Sequence, residues 1–156
     1  MSNPAKARGT RWESAGVAYL NGVLGYTHPT DWRLVKRQVQ EGAKDVGDAH
    51  AWPFVLEFKD VKSPSVPTWL RQAEVEAVNA GFDYGVVVHK VRGKGPALAK
   101  VHISAETFSR LADDVPEVLA YLPASLNHRG AYWTWTLAEF AQVLAAVRAA
   151  RPPVND

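Results

Sequence analysis

Asp48, Glu57 and Lys59 fall in the stretch Gly47-Asp48-Ala49-His50-Ala51-Trp52-Pro53-Phe54-Val55-Leu56-Glu57-Phe58-Lys59. If the chain turns at Trp52-Pro53 and pairs with itself antiparallel, Asp48 faces Glu57. Directly opposed side chains lie about 4.5–5.5 Å apart at Cβ and share one face of the sheet. Two carboxylates at that spacing repel unless a proton or cation lies between them. Lys59, two residues on, projects from the same face, while Leu56 and Phe58 point to the other. Two hard oxygen ligands beside an ammonium suit metal-assisted phosphodiester hydrolysis. A divalent cation activates water and neutralises charge growing on the phosphate, and the lysine steers that water or stabilises the charge. The pattern E-x-K is common, so a solvated Glu57–Lys59 pair and a turn aspartate stand as the alternative.

Other side chains compete for the site or support it. Gln72 lies on the helix expected after the hairpin and can reach back over it. Glu13 falls in the first turn expected for the opening helix, where a capping box with Thr10 also accounts for it. Asp45 and Asp60 are rival acids, and His50 either touches the site or is a loop histidine. The five histidines, at 28, 50, 89, 102 and 128, show no metal-ligand spacing. Arg92-Gly93-Lys94-Gly95 is a basic turn without the remaining residues of a phosphate loop.

The elements that must position these groups can be read from pattern and caps. A helix is expected from Thr10 to about Leu24, closed by Gly25. Strands are expected at 33–40, at 45–50 and from Phe54 to about Val61, with a turn at 41–44. Pro67 opens a helix that Gly81 closes. Tyr84–His89 is a β-branched run and reads as a central strand, followed by a strand at 98–103. Ser104 caps a helix to about Leu111, and the Thr136–Glu139 capping box opens another to about Arg148. Trp133 and Trp135 read as core packing, with base stacking as the lesser alternative. The expected order is α-β-β-β-α-β-β-α-α in one domain.

The chain has 156 residues, 47% hydrophobic and 22% charged, which is enough for one real core. It contains no cysteine, which excludes disulfides, thiol nucleophiles and cysteine-bound zinc. No apolar run approaches the roughly 20 residues of a membrane span, and no leader is evident, so a cytoplasmic protein is expected. The formal charge is only +2, but its distribution is segregated. Residues 1–12 carry Lys6, Arg8 and Arg11 with no acid, and residues 89–102 carry Lys90, Arg92, Lys94 and Lys100 with none. Arg33, Lys36, Arg37 and Lys44 form a third cluster. Each cluster alone reads as a solvated face; together they suit a phosphate backbone around an acidic pocket.

At these residues the sequence resembles the PD-(D/E)xK nuclease superfamily, most of all archaeal-type Holliday junction resolvases and their phage relatives. The likeness covers about residues 6–103, with 104–156 expected as a helical extension; Gly47 stands where the family often has proline. The resemblance implies a single restriction-endonuclease-like α/β domain, a central mixed sheet flanked by helices. It implies an active site of Glu13, Asp48, Glu57, Lys59 and Gln72. Mg2+, with Mn2+ as substitute, would be held by Asp48, Glu57 and the Phe58 carbonyl. Lys6, Arg8, Arg11, Arg37, Lys90, Arg92 and Lys94 are the expected DNA contacts. The implied substrate is branched DNA, a four-way junction, cut by a homodimer whose two-fold axis matches the junction's, in the host cytoplasm if the chain is phage-encoded. A nuclease for flaps, ends or duplex, or a non-catalytic DNA-binding module, is the alternative.

Overall fold

In the computed structural model the described residues are 3–39, 42–123, 125–127 and 130–153. Four helices and seven strands follow in the order α1 (Pro4–Leu24), β1 (Lys36–Arg37), β2 (Ala49–Ala51), β3 (Phe54–Lys59), α2 (Val66–Ala80), β4 (Tyr84–His89), β5 (Lys100–Ser104), α3 (Ala105–Asp114), β6 (Ser125–Asn127), β7 (Tyr132–Thr136) and α4 (Leu137–Ala150). Short 3-10 turns cover Pro96–Leu98 and Pro116–Tyr121. The strands make one mixed sheet ordered β1-β2-β3-β4-β5-β7-β6. Only β3 and β4 run parallel, joined over one face by α2; the other neighbours are antiparallel. The chain is therefore mixed α/β, as expected. Among the described residues no helix is long and apolar enough to cross a membrane.

Alternation along β3 and β4 divides the interior into two layers. Leu56, Phe58, Val86 and Val88 join Trp12, Leu20, Trp135, Phe140 and Leu144 in the main core. Val87 lies on the opposite face with Val66, Trp69, Leu70 and Ala73 of α2. Glu57 is paired in register with Val87 and Lys59 with His89, so both acid and lysine belong to the α2 face. The hairpin between β2 and β3 turns at Trp52-Pro53, through a cis peptide bond. Its register is the expected one, with Ala49 opposite Leu56 and Ala51 opposite Phe54.

The opening helix departs from expectation. It begins at Pro4, with the Asn3 carboxamide accepting from the Ala5 amide at 3.0 Å. Asparagine followed by proline is a helix start in its own right. Thr10 and Glu13 consequently lie inside the helix, and the expected capping box between them is not formed. The expected strand at 33–40 is reduced to Lys36–Arg37, and that at 45–50 begins only at Ala49. Gln40 and Glu41, and with them part of the expected 41–44 turn, lie outside the described residues, as does His128.

The last third is more than a helical extension. Tyr132–Thr136 is a strand paired to β5 along its length, and Ser125–Asn127 adds the sheet edge. Together with α4 this segment completes the core: Trp135, Leu137, Phe140, Leu144 and Val147 are all buried. Arg148 of α4 is buried too and donates to the carbonyls of Trp52 and Arg33, fastening α4 to the hairpin turn. The observed order is α-β-β-β-α-β-β-α-β-β-α.

Candidate active site

The acidic hairpin is assembled by its own backbone. Asp45 Oδ1 accepts from the Gly47 amide at 2.9 Å, which closes a turn just ahead of Asp48. Gly47 has φ +90, and a Cβ there would collide with Val55 and stand 3.3 Å from Glu76 Oε2, so glycine is required twice over. The Asp48 amide donates to the Leu56 carbonyl at 3.1 Å, and its Oδ2 accepts from the Phe58 amide at 2.8 Å. The ladder ends there, so the Phe58 carbonyl faces the Asp48 side; Lys59 faces β4, its carbonyl accepting from the Lys90 amide at 2.9 Å.

Four expected site residues meet around this end of β3. Lys59 Nζ lies 3.7 Å from Glu57 Oε1 and donates to Gln72 Oε1 at 3.3 Å. Glu13 approaches from α1: its Oε2 takes Arg37 Nη2 at 2.8 Å, and Arg37 Nη1 donates to Ser14 at 3.1 Å. Burial raises the Glu13 carboxyl above its ordinary value, and the Asp48 charge raises it further. Glu13 therefore lies within electrostatic reach of Asp48. Arg37, expected to touch DNA, is committed to this ion pair.

Glu57 is 5% exposed and Glu76, on α2, only 1%. Sequence reasoning passed over Glu76. The available signal was its position four residues after Gln72, inside the buried stripe Trp69, Leu70, Ala73 and Ala77. Burial pushes the Glu57 carboxyl far above the usual carboxylate range, and the neighbouring Glu76 and Asp48 carboxyls push it further. Glu76 is raised as well, first by burial and also by the Asp45 and Asp48 charges.

The rival acids have structural duties. Asp60 is almost fully buried and takes Arg92 Nε at 3.2 Å and Lys90 Nζ at 4.0 Å. Asp45 makes the turn described above. His50 bonds the Val46 carbonyl at 2.7 Å and packs on Phe82.

Arg8, Arg11, Lys90 and Lys94 line one groove of about 370 Å³, together with Trp12 and Asp60. Two basic clusters far apart in sequence thus converge beside Lys59-Asp60. Trp12 fixes this side of α1 by donating to the Val88 carbonyl at 3.1 Å. Lys6 is exposed one turn earlier on α1, and Arg92 is held by Asp60.

Among the described residues no group of three or more His, Cys, Asp or Glu side chains is placed as a cage for a metal ion. Mg2+ needs no such cage, since it keeps several waters and takes one or two carboxylates. Glu57 Oε2 is buried without a hydrogen-bond partner, which fits an oxygen reserved for a cation. No family model, curated protein or solved structure matches the chain.

Proposed function

We propose that this chain is a metal-dependent DNA endonuclease of the PD-(D/E)xK type that cuts branched DNA, with the four-way junction as its substrate. The observation that carries the reading is the meeting of Asp48, Glu57, Lys59 and Gln72 at one sheet end, beside a groove lined by four cations. Asp48, Glu57 and the Phe58 carbonyl would hold Mg2+ or Mn2+. Bound there, the cation supplies Lewis-acid neutralisation of phosphate charge and a more acidic water. Gln72 Oε1 accepts a hydrogen bond from the Lys59 ammonium and keeps it beside Glu57, aimed at developing phosphate charge. Arg37 orients Glu13. Arg8, Arg11, Lys90 and Lys94 neutralise backbone phosphates and fix the strand across the site. A homodimer with a two-fold axis would present two such sites to a junction of matching symmetry.

The test is cleavage of end-labelled four-way junction, flap and linear duplex, with Mg2+, with Mn2+ and with EDTA. Junction cutting that needs the cation and disappears in Asp48→Asn and Glu57→Gln is the expected result. Equal cutting of all three substrates would keep the nuclease and remove the junction. Binding without cutting under any cation would leave a DNA-binding module.

A further inference from the structure

We infer that Glu76 of α2 is a further carboxylate of the cation site, facing Glu57, so that the cation is held between β3 and α2 as well as on the hairpin. The inference rests on the metal-dependent reading proposed above. Glu76 is 1% exposed, and neither of its carboxylate oxygens makes a hydrogen bond of good geometry to a described residue. Glu57 Oε2 is in the same condition. Glu57 and Glu76 lie within hydrogen-bond reach of each other, and Gln72 within reach of Glu76, so three buried carboxylate oxygens meet at one place with no cation among their described neighbours. An ionised carboxylate is not left in that state unless a proton or a cation neutralises it.

The location of Glu76 favours a cation. Its Oε2 lies 3.3 Å from where a Gly47 Cβ would stand, and Gly47 immediately precedes Asp48. The charges of Asp45 and Asp48 add negative potential at Glu76 against the lowering contacts of Glu57 and Gln72, and among the described residues no lysine or arginine is paired with it. Lys59 is spent on Gln72 and on Glu57 Oε1, so among the described residues no salt bridge reaches Glu57 Oε2 or Glu76. Two carboxylates brought together without a cationic partner are what a divalent ion takes. Placing one of them on α2 also ties the helix that carries Gln72 to the metal.

The experiment is calorimetric titration of the full chain with Mn2+ in the absence of DNA, for the wild type, Glu76→Gln and Glu57→Gln, with melting temperatures in EDTA and in Mn2+. Glu76→Gln is expected to lose about tenfold or more in Mn2+ affinity. It should melt no lower than wild type in EDTA and gain less from added Mn2+. Wild-type affinity in Glu76→Gln, with loss in Glu57→Gln, overturns the inference and leaves the metal-dependent nuclease standing. Absence of Mn2+ uptake by the wild type brings down that reading and the inference with it. Should Glu76→Gln not fold, wild-type crystals soaked in Mn2+ decide through anomalous scattering. A peak at coordination distance from Glu76 supports the assignment, and a peak touching only Asp48 and Glu57 removes it.

Discussion

Glu13 changes meaning once α1 is seen to begin at Pro4. A capping role would have made it a stability residue; inside the helix it is paired with Arg37 and raised by burial and by the Asp48 charge. Glu13→Gln is expected to slow single-turnover cleavage by about 10²-fold or more, near 2.7 kcal/mol, with an unchanged melt. Normal cutting would return Glu13 to the helix surface. Glu57 yields a pH prediction. Its folded pKa is raised above the unfolded value of 4.5, so its contribution is fully present below that pH and is lost as pH rises through the folded value. In EDTA the wild type should therefore lose stability from about pH 5 to pH 8, by at most about 1.4 kcal/mol per pH unit per proton. Glu57→Gln should flatten that decline, as read by denaturant melts across the range. At this scale Asp48, Glu57 and Lys59 were legible because one turn fixes one register and one face. Glu76 was not, because its partner Glu57 is brought to it by the crossover of α2, which no local spacing reveals.

The elements hold the site by close approach. Gly85 of β4 lies directly under α2, and a Cβ there would collide with the Ala73 carbonyl and the Glu74 amide. Backbone cannot step aside as a side-chain tip can, so Gly85→Ala should cost at least about 1–3 kcal/mol and loosen the Lys59–Gln72 contact. Gly9, inside α1 with nothing within 4 Å of its missing Cβ, is the opposite case. Gly9→Ala should stabilise by about 0.5–1 kcal/mol through helix propensity. Urea melts of the pair check both signs, and a stable Gly85→Ala would mean that α2 is free to lift. Capped elements were the legible ones. Pro67, Gly81, Ser104 and the Thr136–Glu139 box mark ends that the structure keeps to within a residue. The strand Tyr132–Thr136 went unread, although its aromatics alternate, because its partner β5 lies some thirty residues earlier in the chain.

On the scale of the whole molecule, charge is sorted rather than excessive. A net +2 becomes a groove of four cations because α1 and the 90–94 turn meet across Trp12. Affinity for duplex DNA should fall with salt at a log–log slope of about −0.9 per phosphate neutralised. Replacing Arg8, Arg11 and Lys94 together by alanine should reduce that slope by between two and three units, about one per lost contact. An unchanged slope would place the backbone elsewhere. Segregation of basic and acidic runs was visible in the sequence. Which cations stay free was not: Arg37 and Arg92 are claimed by Glu13 and Asp60, acids distant in sequence.

The start of α1 at Pro4 has a kinetic consequence. Arg8 and Arg11 ride on a rod roughly 31 Å long at 1.5 Å per residue, pinned through Trp12 to β4. They are not carried on a tail that must first be ordered. On the proposed function, encounter with DNA should be limited by orientation, without a coupled folding step and without the large negative heat-capacity change that such folding brings. Far-ultraviolet circular dichroism of the chain should gain no helix when DNA is added. A gain there would show an arm that winds up only on contact, and association would slow accordingly.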